Sequence, residues 1–433
     1  MREVVTGRAN RGVWALTLLT VVVVALAIAA PALASSSPAP ETASPSGEAV
    51  AVAGAASPAA AASPAIEDPT PPTITADLSA AAVVFGGTVT VTGVLEPAAA
   101  GQEVVVRLGG AEVGSDLTDA DGAYAVTFTP RRSGDVVATF AADPPVSSSA
   151  VALAVKPKAS VSHGTLVPFL TSRFVVKVAP SSYGGLVVLK VVHRKATVGT
   201  YKARVRDGRA VFRVPLRGVD GFTLTFILPA GDGLAGRSLE TKVAVRAKTL
   251  SAGAKGPYVQ GMLTALRRLR FRVPNVGTSF TSQVRDSVMA FQKAYKLPRT
   301  YVFNTQCWRK IDGAKLIKAR YSSPSTHIEV DKGRQILMIV KGGKPWGIIC
   351  VSTGATGNTP EGRFHVQQKH PYTSSGFGGT LVRTMGFLGD FAIHGWVDVP
   401  PYPASHGCVR EPIWACYWTY DNSWVGETVY VYH

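Results

Sequence analysis

Ser405-His406-Gly407-Cys408-Val409-Arg410, with His394-Gly395 a short way upstream, is the stretch on which the reading of this 433-residue chain turns. It puts one thiol and two imidazoles into the window 394–410. A thiol is a useful nucleophile only as thiolate, and a nearby imidazole is the usual means of making one at neutral pH. The stretch therefore reads as a cysteine acyl-transfer site, with Cys408 as nucleophile and His394 as base. The two are near enough in the chain for a pair of strands, or a strand and a loop, to bring them into hydrogen-bond reach. Gly407 permits a tight turn that a residue with a Cβ resists. Such a turn leaves the N–H groups of Gly407 and Cys408 free to face an oxyanion, a term worth roughly 3–4 kcal/mol per donor in other acyl-transfer enzymes. His406 is expected to shape the turn or support the oxyanion hole. Arg410 either pairs a substrate carboxylate or braces the loop. Cys416 has an apolar context and no neighbouring His, so it reads as core, and His365 and His370 belong to no motif.

Upstream, Ile328 and Val330, then Ile336, Met338 and Val340, then Trp346, Ile348 and Cys350 read as strands, with a turn at Gly342-Gly343. Glycine and proline from Thr353 to Phe364 argue for a β-rich domain whose loops form a site.

Thr353-Gly354…Thr359-Pro360-x-Gly362-x-Phe364, then Ala392-Ile393-His394-Gly395, then the Ser405–Arg410 hexapeptide, together resemble the L,D-transpeptidase catalytic domain over residues 325–433. That resemblance implies a mostly β fold, a catalytic cysteine, and 3→3 cross-linking of peptidoglycan stem peptides with loss of the terminal D-alanine. It also implies that the Gly395 carbonyl orients His394, which accounts for the absence of an acid from the motif. Trp396 stands where a small or hydroxyl residue is commoner. No cofactor is expected, because a thioester conserves the energy of the broken amide. Hydrolysis, amino-acid exchange and protein anchoring would use the same site. Two rivals lie outside this class: a zinc site built from His394, His406 and Cys408, and a non-catalytic wall-binding protein.

The other segments point to a multidomain, mainly β chain. Val259, Leu263, Leu266 and Leu269 have helical spacing. So do Val284, Val288, Phe291 and Tyr295 after a cap at Thr281 or Ser282, and Asn304 starts a third helix through Trp308 and Ile311. Residues 255–313 thus resemble the three-helix peptidoglycan-binding domain, although Tyr301-Val302-Phe303 replaces a turn that usually contains glycine. Residues 73–156 and 157–248 alternate as short strands around Asp121-Gly122 and Asp207-Gly208, which read as hairpin turns. Both segments resemble bacterial immunoglobulin-like β-sandwich domains and are expected to act as spacers.

Residues 1–34 combine Arg2, Arg8 and Arg11 with an apolar run and Ala32-Leu33-Ala34, which reads as a signal peptide or a membrane anchor. Residues 35–72 are an Ala/Ser/Pro-rich linker. The chain is accordingly expected to be exported, to the cell wall or the outer face of the membrane. Its net charge of +17 favours an anionic envelope as partner, alongside peptidoglycan stem peptides and possible anchoring in the membrane; nothing points to nucleic acid. Four cysteines are too few for a disulfide framework, and a reduced Cys408 leaves at most one bridge.

Overall fold

The computed structural model describes residues 70–433; the expected export segment and nearly all of the linker lie outside them. Among the described residues no helix is long and apolar enough to cross a membrane.

The first β segment contains β1 (Thr73–Ile74), β2 (Asp77–Leu78), β3 (Ala82–Val84), β4 (Val89–Glu96), β5 (Glu103–Leu108), β6 (Ala111–Leu117), β7 (Ala123–Phe128), β8 (Gly134–Phe140), β9 (Val146–Ser147) and β10 (Val151–Lys156). The second contains β11 (Lys158–His163), β12 (Thr171–Ala179), β13 (Leu186–His193), β14 (Ala196–Arg204), β15 (Arg209–Pro215), β16 (Asp220–Leu228) and β17 (Arg237–Val245). Each segment divides its strands between two sheets. In the first, β4 pairs β7, and the other sheet runs β10-β8-β5-β6. In the second, β12 pairs β15, and the other sheet runs β17-β16-β13-β14. The two orders are the same, so the segments repeat one topology. Alternation along each strand sends one set of side chains inward, for example Phe174, Val176 and Val178 on β12.

The Asp-Gly turns differ from the expectation. Gly122 and Gly208 do take positive φ, 75° and 66°. Arg206 and Arg209 pair antiparallel across Asp207-Gly208, as in a two-residue hairpin turn, but the pairing goes no further, because β6 and β7, like β14 and β15, belong to different sheets. These turns are crossovers from one sheet to the other, at the same point of each repeat.

Three helices follow: α1 (Pro257–Arg268), α2 (Ser282–Ala294) and α3 (Thr305–Asp312). Thr281 Oγ1 accepts from Val284 N at 3.4 Å and Asn304 Oδ1 from Cys307 N at 3.1 Å, satisfying N–H groups left open at the helix starts. The glycine-free turn is held by a buried side chain. Tyr301 sits at φ 62°, and Gln292 Oε1 accepts from the N–H of both Thr300 and Tyr301. Asp312, almost fully buried, ties this module to the second β segment through His193 (3.0 Å), Arg194 (2.9 Å) and Val219 N (3.3 Å).

The C-terminal segment has β18 (His327–Asp331), β19 (Ile336–Lys341), β20 (Lys344–Cys350), β21 (Gly362–His365), β22 (Gln368–Ser374), β23 (Thr380–Leu388), β24 (Phe391–Trp396), β25 (Val409–Pro412), α4 (Ile413–Asp421) and β26 (Thr428–Tyr432). One sheet runs β20-β19-β18-β26-β21 and the other β22-β23-β24-β25. Gly342 and Gly343, at φ 60° and 69°, close the β19–β20 hairpin with the backbone that a tight two-residue turn requires.

On β19 the run Ile336–Val340 is buried on both faces. Ile336, Met338 and Val340 join the core of the three helices, while Leu337 and Ile339 join the core of the C-terminal segment. The helical module therefore covers one face of the C-terminal sheet, and its core is continuous with that face. Lys293 of α2 extends the junction, with Nζ donating to Val351 O at 2.7 Å and Pro400 O at 3.2 Å.

Candidate active site

Strands β24 and β25 run parallel, with Ile393 opposite Val409 and His394 opposite Arg410. Cys408 immediately precedes β25. Side chains two apart share a face of a strand, so Cys408 and Arg410 lie on the same side as His394, and Cys408 is its diagonal neighbour. Cys408, His394 and Arg410 all line one cleft of about 670 Å³. The β22–β23 hairpin of the same sheet also lines it, through residues including Gln368, His370 and Phe377.

The turn carrying Cys408 is buckled onto the segment that follows β20. Ala404 N and Ser405 N both donate to Thr353 O, and Ala355 N donates to Ser405 O. Thr359 Oγ1 donates to Gly407 O at 2.7 Å and accepts from Gly354 N at 2.8 Å. Asn358 Nδ2 donates to His406 O at 2.7 Å. The threonines and glycine of the motif thus hold the loop and do not reach into the cleft. Gln335 in turn holds Thr353 by its amide, at 2.7 and 2.9 Å.

Gly407 sits at φ 144°, and a Cβ there would lie 2.6 Å from Phe391 Cε1, so both backbone and space select glycine. Its N–H is not free, which corrects the expectation of two oxyanion donors. Gly407 N donates to Ser405 Oγ at 3.1 Å, and that hydroxyl donates onward to Cys408 O.

His394 is buried, with Nδ1 3.1 Å from the carbonyl oxygen of Gly395. A carbonyl only accepts, so Nδ1 carries the proton and Nε2 keeps its lone pair. Burial pushes the imidazole pKa down to about 4, with Arg410 adding to the effect against the Gly395 bond. Burial raises the Cys408 thiol, while the Ala392 amide and Arg410 pull it down. Both shifts favour the neutral thiol and the neutral imidazole.

Arg410 lays its guanidinium over the Trp396 ring, 5.3 Å from the centroid. His406 is exposed and stacks on Phe377 at the hairpin tip, with centroids 3.9 Å apart. It lines the same cleft as His394 and Cys408, and among the described residues no group of three or more His, Cys, Asp or Glu could hold a metal ion. His370, which belonged to no motif, lines the cleft, whereas His365 meets only Gly426 O.

Behind the site, Gly395 packs so closely that a Cβ would lie 2.3 Å from Cys416 Sγ. Cys416 is core, with its thiol pushed up to about 12 by burial and by Glu411. Glu411, opposite Gly395 in the ladder, is fully buried and raised by desolvation to about 8. Burial thus favours its neutral form, and it accepts from Thr419 Oγ1 at 2.7 Å. No spacing or composition marked it in advance. All four cysteines are free.

Residues 325–431 match the family model described as YkuD, the L,D-transpeptidase catalytic domain. No curated protein matches the chain. Among solved structures, the chain is similar to residues 123–326 of an L,D-transpeptidase from Xylanimonas cellulosilytica DSM 15894, at 32% identity over 43% of this chain and 98% of that one, with a TM-score of 0.41. It is also similar to an L,D-transpeptidase from Stackebrandtia nassauensis, at 22% identity over 42% and 95%, TM-score 0.29. A third is an L,D-transpeptidase from Mycobacterium smegmatis, at 12% identity over 64% and 99%, TM-score 0.24. By its residues 325–431, the chain belongs to the YkuD family of L,D-transpeptidase catalytic domains.

Proposed function

We infer that this chain is an exported cell-wall enzyme that forms 3→3 peptidoglycan cross-links through a thioester on Cys408. The observation that carries the reading is the shared cleft wall: a neutral imidazole with a free Nε2, diagonal to a thiol on the adjacent strand. The Cys408 sulfur attacks the amide carbonyl between the third residue of a donor stem and its terminal D-alanine, while its proton passes to His394 Nε2. Because both groups are neutral beforehand, proton transfer accompanies attack. The Cys408 N–H faces the developing oxyanion. The imidazolium then returns its proton to the departing D-alanine amine, leaving the thioester. An acceptor amine attacks that thioester, and its proton returns to the sulfur through His394.

Arg410, steered by Trp396, is the cation available to a stem-peptide carboxylate. Gly395 orients the base, Gly407 shapes the turn, and His406 belongs to the rim of the cleft. The two β segments serve as spacers, and the helical module braces the catalytic sheet.

The test is product analysis with a purified disaccharide-tetrapeptide. The reading expects a cross-linked dimer with release of one D-alanine per bond, and none from Cys408→Ala. Release of D-alanine without any dimer would make the domain a hydrolase, and turnover by Cys408→Ala would overturn the assignment.

A further inference from the structure

The chain's positive charge is concentrated in one segment. Residues 157–248 contain 16 Lys and Arg against 4 Asp and Glu, a net of +12. Residues 73–156 contain 4 against 9, a net of −5. Two repeats of one topology thus carry opposite charge, which argues against a general solubilising role for the +17.

The strand register locates part of this charge on one flat face. On the sheet β11-β12-β15 the inward set is apolar apart from Ser172, and the outward set is formed by the alternate residues. Arg173 lies directly opposite Arg213, and Lys177 opposite Arg209, with Val175 and Val211 between the two rungs. On the edge strand, Ser162 and Ser160 continue the valine rung and the second cationic rung, and Lys158 follows beside Ala179. All five cations are exposed. None forms an ion pair among the described residues. The nearest acid in sequence is Asp207, in the crossover at the end of β15.

Like charges directly opposite on neighbouring strands destabilise a sheet. Two such rungs, about 13 Å apart along the strands at four residues' rise, are unfavourable in the free protein and favourable only against an anion.

We propose that the outer face of the β11-β12-β15 sheet is a docking surface for a linear, phosphodiester-linked polyanion, which holds the chain on its anionic surroundings independently of the catalytic cleft. Each rung sets two cations one strand apart. The non-bridging oxygens of one phosphodiester accept from both, whereas a carboxylate is satisfied by a single guanidinium fork. The face has no aromatic or long aliphatic side chain to insert into a bilayer, which favours a polymer over a lipid surface.

The test measures binding of the full chain to soluble poly(glycerol phosphate) at several salt concentrations. Three comparison probes are polygalacturonate, phosphatidylglycerol vesicles and uncharged dextran. Arg173→Glu/Arg213→Glu is compared with Lys190→Glu/Lys202→Glu, which makes the same charge change on the outer face of the partner sheet. The first pair is expected to weaken binding at least roughly tenfold and to flatten its salt dependence, and the second to change it little. Arg173→Ala/Arg213→Ala provides a milder loss if the reversal perturbs folding. Equal weakening by both pairs would reduce the effect to net charge and overturn the proposal. So would vesicles or polygalacturonate binding tighter than the phosphate polymer. The readout does not involve Cys408, so Cys408→Ala should bind as the parent does whatever becomes of the catalytic reading.

Discussion

Replacing Thr359 by valine exchanges one hydroxyl for a methyl at a site that is 1% exposed. That hydroxyl satisfies two backbone groups, the Gly407 carbonyl and the Gly354 N–H, at 2.7 and 2.8 Å. Each buried group left unpaired costs about 1–3 kcal/mol, so the expected loss is about 2–4 kcal/mol once some relaxation is allowed. The turn it releases carries Cys408, the proposed nucleophile, and displacement on the scale of an ångström costs about a hundredfold in rate. Tryptophan emission is a selective probe of unfolding here. Six of the seven tryptophans, Trp308, Trp346, Trp396, Trp414, Trp418 and Trp424, lie in the helical and C-terminal segments and neither β segment contains one; the seventh, Trp14, lies outside the described residues. Urea titration should lower the midpoint without changing the slope, and acylation by a donor peptide should slow about a hundredfold. Thr359→Ser, which keeps the hydroxyl, should restore most of both. The reasoning fails if valine leaves stability and acylation near the parent values, or if serine is as damaging as valine.

Two further outcomes follow from the same geometry. Because His394 is held down to about 4 and must be neutral to accept a proton, the acid limb of kcat/KM should fall near pH 4. Arg410→Gln removes a neighbouring cation and should move that limb upward. A parent limb in the ordinary imidazole range, near about 6.5, or a downward move in the variant, would contradict this. Gly395→Ala drives a Cβ into Cys416 Sγ and should destabilise the C-terminal segment by about 1–3 kcal/mol. Cys416→Ala alone should spare turnover, and combined with Gly395→Ala it should recover part of the loss; strict additivity in thermal unfolding would refute the contact.

The placement of Cys408 and His394 in one cleft was legible because it is local: the hexapeptide and the upstream His-Gly lie close together in the chain, and short strands bring them together. The β19–β20 hairpin and the starts of α2 and α3 were legible for the same reason, since Gly342-Gly343, Thr281 and Asn304 act on their own neighbours. What escaped depends on residues far apart in sequence. The Gly407 N–H looked free until Ser405 Oγ was seen to take it. The roles of Asn358 and Thr359 needed a loop 48 residues away. The Asp-Gly turns looked like hairpins because a turn signal says how the chain reverses, not which sheet the next strand joins. Ile336–Val340 read as an alternating strand, yet the helical module buries its second face. Glu411 carried no signal, because a buried neutral acid is defined by its surroundings and not by its neighbours in the chain.

The central claim is that the Cys408 sulfur becomes acylated in a cleft it shares with the His394 imidazole. Intact-protein mass spectrometry after brief mixing with a tetrapeptide donor tests it most directly. The account predicts one adduct per chain equal to the donor less D-alanine, mapped by digestion to Cys408 and missing from Cys408→Ala. It further predicts that the adduct forms far more slowly in His394→Ala. An adduct on another residue, or undiminished acylation without the imidazole, would contradict it.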